Sequence, residues 1–328
     1  MKKNVVIYKK IPEPLLAELR DKFDVTYFES INDANRQQFN DALRSAQGLL
    51  GASVKFDRKA LEPAAQLEIV STISVGYDTF DVDYLTGRGV VLCNTPTVLT
   101  ETVADTVFAL ILGTARRIVE LAELVKSGNW KKSIGEPLYG VDVHSKTLGL
   151  LGMGRIGRAV ARRARLGFNM NLLYHDVRAA PDVESQFGAR LATMDDVLRS
   201  SDFVCVLLPL TAETEKIIGS REFALMRKSA IFINGSRGRV VDESALIQAL
   251  QGRVIHGAGL DVFEREPLSP DSPLLKMPNV LALPHIGSAT HETRFAMVKG
   301  AVENLVEGLS GRRPPYVVNE SVLRQRAG

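Results

Sequence analysis

The stretch Thr147-Leu148-Gly149-Leu150-Leu151-Gly152-Met153-Gly154-Arg155-Ile156-Gly157 decides the fold. An apolar run typical of a buried strand leads into the pattern G-x-G-x-x-G, and a helical pattern rich in Ala and Arg follows. In this setting the first glycine makes a tight turn, the second lets the backbone approach a pyrophosphate, and the third lets helix and strand pack closely. The helix N-terminus offers free N–H groups to the phosphates. The stretch therefore predicts a dinucleotide-binding α/β unit with Gly152, Gly154 and Gly157 at the cofactor.

An acidic residue follows the glycines at the distance that such a unit requires. Asp176 stands 19 residues after Gly157, directly after the predicted strand 171–175. A carboxylate there accepts hydrogen bonds from both adenosine ribose hydroxyls and repels a 2′-phosphate, whereas an arginine attracts one. Because Arg178 is close by, a solvated carboxylate at Asp176 stays an alternative. We therefore predict NAD(P)H as cofactor, with both NADH and NADPH left open.

Short β-rich runs alternate with helical patterns along the chain, which is typical of parallel α/β sheets. The first series has predicted strands at 5–8, 25–28, 48–52, 69–74 and 90–93, and helices at 14–22 and 35–45. The second has strands at 148–151, 171–175, 203–208, 230–234, 258–261 and 280–283, with a short one at 188–191. A chain of 328 residues exceeds what one hydrophobic core usually holds, so two domains are expected.

The segment between the two series is predicted to be helical and then irregular. Thr100 is expected to cap a helix whose apolar residues recur through Ala115, and a second helix is expected at 118–126. Several Gly and Pro residues break the pattern over 127–144, which we interpret as an irregular arm. A last helix at 292–309 precedes a polar tail.

Composition excludes several classes of protein. The net charge of +3 and the lack of long Lys/Arg blocks argue against nucleic-acid binding. No apolar stretch approaches the roughly 20 residues of a membrane span, and the apolar run after Lys3 is too short for a signal peptide. Cys93 and Cys205 lie far apart in strand-like runs, which indicates reduced core residues. We therefore expect a cytoplasmic protein without membrane or nucleic-acid partners, and we predict no metal site.

Three strand ends of the second series carry polar residues that suit hydride transfer to a keto acid. Arg237, Glu266 and His285 each follow a predicted strand, and ligands of open α/β sheets bind outside the carboxyl ends of the strands. A guanidinium can hold a carboxylate in a fork. An imidazolium can protonate a developing alkoxide, and a neighbouring carboxylate favours its charged form. We predict that these three side chains converge on one site.

These motifs resemble those of the D-isomer-specific 2-hydroxyacid dehydrogenases. The resemblance covers nearly the whole chain and is strongest at 152–157, at 234–243, at 259–267 and at Pro284-His285-Ile286-Gly287-Ser288. Within that family, the stretches 74–78, 95–106 and 284–291 resemble the bacterial glyoxylate/hydroxypyruvate reductases that also act as 2-ketogluconate (2-ketoaldonate) reductases. The resemblance implies reduction of glyoxylate, hydroxypyruvate or 2-keto-D-gluconate to the D-2-hydroxy acid with NAD(P)H.

The resemblance also implies a role for individual residues. Arg237 would bind substrate, His285 would donate the proton with Glu266 as its partner, and Val75 and Gly76 would offer backbone N–H groups to the substrate carboxylate. The implied cofactor-binding residues are Thr106, Gly152, Gly154, Arg155, Ile156, Gly157, Asp176, Pro209, Gly235, Asp261, His285 and Gly287.

The family architecture is likewise implied by the resemblance. Residues 1–100 and 287–328 would form a flavodoxin-like substrate domain, and residues 101–286 would form a Rossmann domain inserted in it. The Rossmann domains would pair in a homodimer. Family members often carry extra aromatic residues in the arm, whereas Trp130 is followed here by Ser133 and Ile134, which leaves a contribution of the second subunit to the pocket open.

Two alternatives stay open at this level. A nucleotide-sensing binding protein, similar to the corepressors on the same fold, would share these motifs without turnover. A different substrate is the second alternative. Formate-oxidising relatives place Gln where Glu266 stands, and phosphoglycerate dehydrogenases often append a regulatory domain for which this chain ends too soon, so both are disfavoured, while phosphite lacks support.

Overall fold

Two parallel β-sheets, of five and seven strands, organise the protein in this computed structural model, which describes residues 1–326. The chain divides into one unit of Met1–Leu99 together with the residues from Thr290 onward, and a second unit of Thr100–Ala289. The predicted fold class, a Rossmann unit inserted in a flavodoxin-like unit, is confirmed. Within residues 1–326, no helix is long and apolar enough to cross a membrane.

The first unit is built on the five-stranded sheet. Its strands are β1 (Asn4–Ile7), β2 (Asp24–Tyr27), β3 (Gly48–Gly51), β4 (Ile69–Thr72) and β5 (Val91–Cys93), and its first helices are α1 (Glu13–Lys22), α2 (Arg36–Arg44), α3 (Arg58–Leu61) and α4 (Val82–Gly87). The order is β2-β1-β3-β4-β5, with every pair parallel. Strands β3, β4 and β5 are buried throughout because helices cover both faces of a parallel sheet.

The second unit is built on the seven-stranded sheet. Its helices are α5 (Thr100–Ala115), α6 (Ile118–Lys126), α7 (Arg155–Phe168), α8 (Pro181–Phe187), α9 (Met194–Ser200), α10 (Ser220–Leu225) and α11 (Glu243–Gln251). Its strands are β6 (Thr147–Leu151), β7 (Asn171–His175), β8 (Arg190–Leu191), β9 (Phe203–Val206), β10 (Ile231–Asn234), β11 (Gly257–Leu260) and β12 (Val280–Ala282). Short 3-10 turns lie at Glu136–Leu138, Gly238–Val240 and Pro273–Lys276.

The strand order of the second sheet places its functional edge. The strand order is β12-β11-β10-β9-β6-β7-β8, and all strands are parallel. Successive strands are added towards one side from β6 to β8 and towards the other side from β9 onward. Ligands of such sheets bind at this switch point, outside the carboxyl ends of the strands. The predicted polar residues of the second unit follow strands at this edge of the sheet. Thr106 is the exception, because it lies on α5.

The last part of the chain returns to the first unit. Helix α12 (His291–Leu309) packs against β3, β4 and β5, and helix α13 (Ser321–Arg326) follows. Between them the backbone pairs with β5, since Val317 forms an antiparallel bridge with Cys93. Asn319 is buried and accepts a hydrogen bond from the Leu92 N–H at 2.8 Å. The residues after α12 thus cover the edge of the five-stranded sheet.

The structure departs from the sequence predictions at short elements and ends. Thr100, predicted as a helix cap, is the first residue of α5. Helices α3 and α4, of four and six residues, were not predicted, because elements so short carry too little periodicity to detect. The predicted polar tail contains α13. The two units separate after Leu99 and after Ala289, compared with the predicted 100 and 286.

Candidate active site

The glycine turn after β6 has the shape that a pyrophosphate requires. Gly152 has a φ of +103°, a conformation that L side chains rarely adopt. A Cβ at position 157 would overlap the carbonyl oxygen of Gly152, so α7 lies directly against the turn. Gly154 caps α7, and the space where its Cβ would lie is open. The turn therefore fits the diphosphate of a dinucleotide at the N-terminus of a helix of 14 residues.

Asp176 is held directly beside this turn. Its Oδ2 accepts the Met153 N–H at 2.7 Å, and its Oδ1 accepts the Arg178 N–H at 3.2 Å. Val177, which lies between Asp176 and Arg178 in the chain, is 95 % exposed. The carboxylate of Asp176 is thus fixed at the end of β7 rather than free in solvent, as a group that binds ribose hydroxyls needs to be.

The other predicted cofactor residues lie around the same edge of the seven-stranded sheet. Arg155 and Ile156 begin α7, Pro209 and Gly235 lie in the loops after β9 and β10, and Thr106 lies on α5. The turn after Pro209 is closed by Thr214, whose Oγ1 donates to the Pro209 carbonyl oxygen at 2.6 Å. These residues therefore come from α5, from α7 and from the loops after β9 and β10.

His285 and Glu266 form a close pair at the far end of the same edge. Nδ1 of His285 lies 2.7 Å from Oε2 of Glu266, and the side chains are 45 % and 37 % exposed. The second carboxylate oxygen, Oε1, accepts the Phe263 N–H at 3.1 Å. Both oxygens of Glu266 are therefore engaged, and Nε2 of His285 is the ring nitrogen left to exchange a proton with a ligand.

Opposing effects set the ionisation of Glu266. Burial raises the pKa of the Glu266 carboxyl. A larger opposite effect comes from the hydrogen bond and charge of His285, from the Phe263 N–H and from the charge of Arg237. The net pKa lies below the usual range of a glutamate. Glu266 is therefore ionised at neutral pH, so that Nδ1 of His285 donates to it and the ring orientation is fixed.

Asp261 secures the backbone that carries His285. Its carboxylate is almost fully buried and accepts the N–H groups of Ile286 at 2.7 Å and Gly287 at 2.8 Å. His285 itself has a φ of +55°, which is uncommon for a residue with a Cβ and costs conformational energy. Burial raises the pKa of Asp261, an effect that the two amides and His285 oppose without cancelling. Asp261 thus stabilises the strained turn through its hydrogen bonds to the two amides that follow His285.

Arg237 lies in a loop that the buried residue Asn234 organises. Oδ1 of Asn234 accepts from the N–H and hydroxyl of Ser236 at 3.1 and 3.0 Å, and its Nδ2 donates to the Arg237 carbonyl oxygen at 3.1 Å. The Arg237 guanidinium donates to the Ser236 carbonyl oxygen at 2.9 Å and contributes to the low pKa of Glu266. The structure therefore brings together Arg237, Glu266 and His285, as predicted from the strand ends.

In the five-stranded sheet, the loop after β4 carries Val75 and Gly76. Both are half-buried, and the hydroxyl of Ser74 donates to the Gly76 carbonyl oxygen at 2.6 Å. The loop is also bonded to the residues after β5, where the side-chain amide of Asn94 donates to the Val75 carbonyl oxygen at 2.8 Å. Neither Asn94 nor Asn234 was given a role from the sequence. The available signal was a polar residue at the end of a fully apolar strand.

Comparison with known proteins identifies the family of this chain. A sequence profile described as D-isomer specific 2-hydroxyacid dehydrogenase, NAD binding domain, matches residues 108–287. The chain is 56 % identical to glyoxylate/hydroxypyruvate reductase B of Escherichia fergusonii over 99 % of this chain and 100 % of that protein. The chain belongs to the D-isomer-specific 2-hydroxyacid dehydrogenase family. The protein is accordingly an NAD(P)-dependent oxidoreductase, as the sequence predicted.

Further relatives extend the comparison. Glyoxylate/hydroxypyruvate reductase B of Klebsiella pneumoniae is 55 % identical over 98 % of this chain and 100 % of that protein. A crystal structure of the NADPH-dependent glyoxylate/hydroxypyruvate reductase of Sinorhizobium meliloti, with NADP and malonate, superposes with a TM-score of 0.86 at 33 % identity and covers 98 % of both chains. Both the fold and the family are therefore shared over essentially the full length.

Proposed function

We propose that this protein reduces glyoxylate to glycolate, and hydroxypyruvate and 2-keto-D-gluconate to the corresponding D-2-hydroxy acids. The observation that carries the proposal is the His285–Glu266 pair at 2.7 Å, beside Arg237, at the edge of a sheet that also carries a dinucleotide turn. The names of the relatives at about 55 % identity over full length support glyoxylate and hydroxypyruvate as substrates. A bound nicotinamide cofactor supplies the hydride.

His285 is proposed as the proton donor. The ionised Glu266 accepts from Nδ1, which leaves Nε2 to carry the proton that the substrate oxygen takes as the carbonyl becomes an alcohol. The turn held by Asp261 keeps the ring in one place, so that little reorganisation accompanies the reaction.

Arg237 and the loop after β4 are proposed to bind the substrate. The Arg237 guanidinium carries a fork of N–H donors that suits a carboxylate and the adjacent ketone oxygen. The backbone N–H groups of Val75 and Gly76 are proposed to bind the carboxylate as well. Such a set recognises the 2-keto acid group itself, so that the rest of the substrate can vary.

Asp176 supports good use of NADH. A carboxylate fixed by the Met153 and Arg178 N–H groups presents its remaining lone pairs to ribose hydroxyls and its charge against a 2′-phosphate. The side chain of Arg178 is exposed on the same loop and is the group that would attract a 2′-phosphate. We propose use of both cofactors, with NADH favoured by Asp176 and NADPH by Arg178.

A direct assay tests the proposed function. The purified protein is mixed with NADH or NADPH and with glyoxylate, hydroxypyruvate or 2-keto-D-gluconate, and the loss of reduced-nicotinamide absorbance is followed. We expect turnover with glyoxylate and hydroxypyruvate. Cofactor binding without turnover of any 2-keto acid would contradict the proposal and favour the nucleotide-sensing alternative.

A homodimer through the second unit is proposed as the assembly. Helix α6 has no buried residue, and the arm that follows exposes further apolar side chains. Exposed apolar residues of this region are Ile118, Val119, Val125, Trp130, Ile134 and Tyr139. Apolar groups exposed together on one segment are typical of a subunit interface. Light scattering at micromolar concentration should give about twice the chain mass, and a monomeric mass would contradict the dimer.

The cytoplasmic location stays a prediction, which cell fractionation can test.

A further inference from the structure

The loop after β4 presents two consecutive backbone N–H groups whose direction is set by another segment. The Ser74 carbonyl oxygen accepts from the N–H of Thr95 at 2.9 Å and from its Oγ1 at 3.2 Å. The next carbonyl oxygen, that of Val75, accepts from Nδ2 of Asn94 at 2.8 Å. Two successive carbonyls therefore point at the residues that follow β5.

Because the peptide unit is planar, the hydrogen bonds to these two carbonyls also fix the direction of the N–H groups in the same peptide units. In a trans peptide the C=O and N–H point in opposite directions. The Val75 N–H shares its peptide unit with the Ser74 carbonyl, and the Gly76 N–H shares its unit with the Val75 carbonyl. Both N–H groups are therefore turned away from Asn94 and Thr95. Among residues 1–326, no protein acceptor takes a hydrogen bond from either N–H. Two adjacent amides without a protein acceptor are donors that a carboxylate can accept from.

Asn94 is itself held rigidly by α12 and the segment that follows it. Its carbonyl oxygen accepts from Nδ2 of Asn304 at 2.9 Å, and its N–H donates to the Tyr316 carbonyl oxygen at 3.3 Å. Asn304 has no exposed surface, and its Oδ1 accepts the Tyr316 N–H at 3.0 Å. The amide that holds the Val75 carbonyl is thus 8 % exposed and anchored on the backbone side by a second buried amide.

We propose that Asn94 is a positioning residue for the substrate carboxylate: it orients the Gly76 N–H through the Val75 carbonyl, and Asn304 keeps Asn94 in register. This assignment rests on the proposed function, since it takes the Val75 and Gly76 amides as the carboxylate site. A neutral amide suits the task because it donates a hydrogen bond to the carbonyl without a charge that would draw the substrate to itself. A carboxylate at the same position would lack the donor.

Replacement of Asn94 separates positioning from general stability. In Asn94→Ala, the KM for glyoxylate and hydroxypyruvate should rise roughly tenfold, the scale of one weakened hydrogen bond to a charged group. The kcat and the Kd for NADH should stay within about twofold of wild type, because Asn94 contacts neither His285 nor the glycine turn in the structure.

Asn319→Ala is the matched control. Asn319 is also buried in the first unit, where its side chain donates to the Val90 carbonyl oxygen at 2.9 Å and to Thr86 Oγ1 at 3.0 Å, but it does not touch the 74–76 loop. This variant should lower the Tm and leave both KM values unchanged. An unchanged KM in Asn94→Ala, or an equal KM rise in both variants, would overturn the proposal.

Two further measurements keep the result decisive. Asn94→Leu keeps the branched shape of the side chain without the donor, so it replaces Asn94→Ala if that variant does not fold. Protein labelled with 15N at glycine and valine reports the Val75 and Gly76 amides without any turnover. The Gly76 resonance should shift in the Asn94 variants and not in Asn319→Ala, and an unmoved resonance would overturn the positioning role. Absence of 2-keto acid turnover in the wild type would instead count against the proposed function, and the two failures are therefore distinct.

Discussion

The carboxyl edges of the two sheets present polar groups of different kinds. At the edge of the seven-stranded sheet the groups are charged side chains, with Glu266 against His285 and Asp261 against two amides. At the edge of the five-stranded sheet they are backbone N–H groups, whose partner carbonyls bond to Thr95 and the neutral amide of Asn94. The His285–Glu266 pair acts on the proton that is transferred, whereas an oriented amide acts on substrate affinity. Substitutions in that pair should therefore lower kcat, whereas substitutions that disturb only substrate binding, at Arg237 or Asn94, should raise KM.

The largest effect is expected at His285. In His285→Ala the proton donor is lost, and kcat should fall by about 10²–10⁴. The Kd for NADH, measured by fluorescence titration, should stay near wild type because the glycine turn is untouched. His144→Ala removes an exposed imidazole of the same unit and should leave kcat unchanged. Near-normal turnover in His285→Ala would remove this side chain from the chemistry.

Arg237 should come next. In Arg237→Ala the KM for glyoxylate should rise roughly hundredfold, since charge-assisted hydrogen bonds are lost. Arg237→Lys should recover only part of this, because a point charge lacks the fork. The control is Arg239→Ala, two residues along the same loop, where the guanidinium pairs with Glu215 at 2.6 Å. A full rescue by lysine would show that charge alone suffices.

Glu266→Gln should alter the pH profile. In wild type the pKa of Glu266 is low, so its charge is present throughout the neutral range and is lost only as the pH falls below the usual range of a carboxylate. Without that charge, the acid limb of kcat/KM for reduction that follows protonation of Glu266 in wild type should disappear, and kcat/KM at neutral pH should fall roughly tenfold because Nδ1 of His285 loses a charged acceptor. Glu264→Gln, in the same loop but paired with Lys216 at 2.8 Å, should leave the limb in place.

The smallest effect is expected at the cofactor. In Asp176→Ser the ratio of kcat/KM for NADPH to that for NADH should rise several-fold, roughly the size of one or two ribose hydrogen bonds and one repulsion. Asp182→Ser removes a nearby exposed carboxylate that pairs with Arg158, and its ratio should match wild type. A constant ratio in Asp176→Ser would mean that this carboxylate does not contact the ribose.

The same contrast explains what the sequence could predict. The glycine turn, Arg237, Glu266 and His285 were found because their residue types and their places after apolar strands carry the chemistry themselves. Asp261 was assigned to the cofactor by resemblance, whereas its two oxygens hold the Ile286 and Gly287 amides, a contact between distant strands that no local pattern reveals. The cofactor role of Asp261 stays a prediction.

The first unit was harder to predict for a physical reason. A backbone N–H is common to nearly all residue types, so the sequence does not show which way it points. Its direction depends on the partner that bonds the carbonyl of the same peptide unit. That direction depends on Asn94 and Asn304, which are 210 residues apart in the chain. The strands themselves were predictable, because β3, β4 and β5 are short apolar runs buried on both faces.

The return of the last residues to β5 has a consequence for synthesis on the ribosome. All of Thr100–Ala289 emerges before α12, so the inserted unit can complete its seven-stranded sheet while the earlier-made sheet still lacks α12 and the backbone partner of Cys93. Domains generally fold as units during translation. We therefore expect the unit that is begun first to be finished last, and a released chain that ends at residue 289 to resist protease in its cofactor-binding part while its first 99 residues are digested.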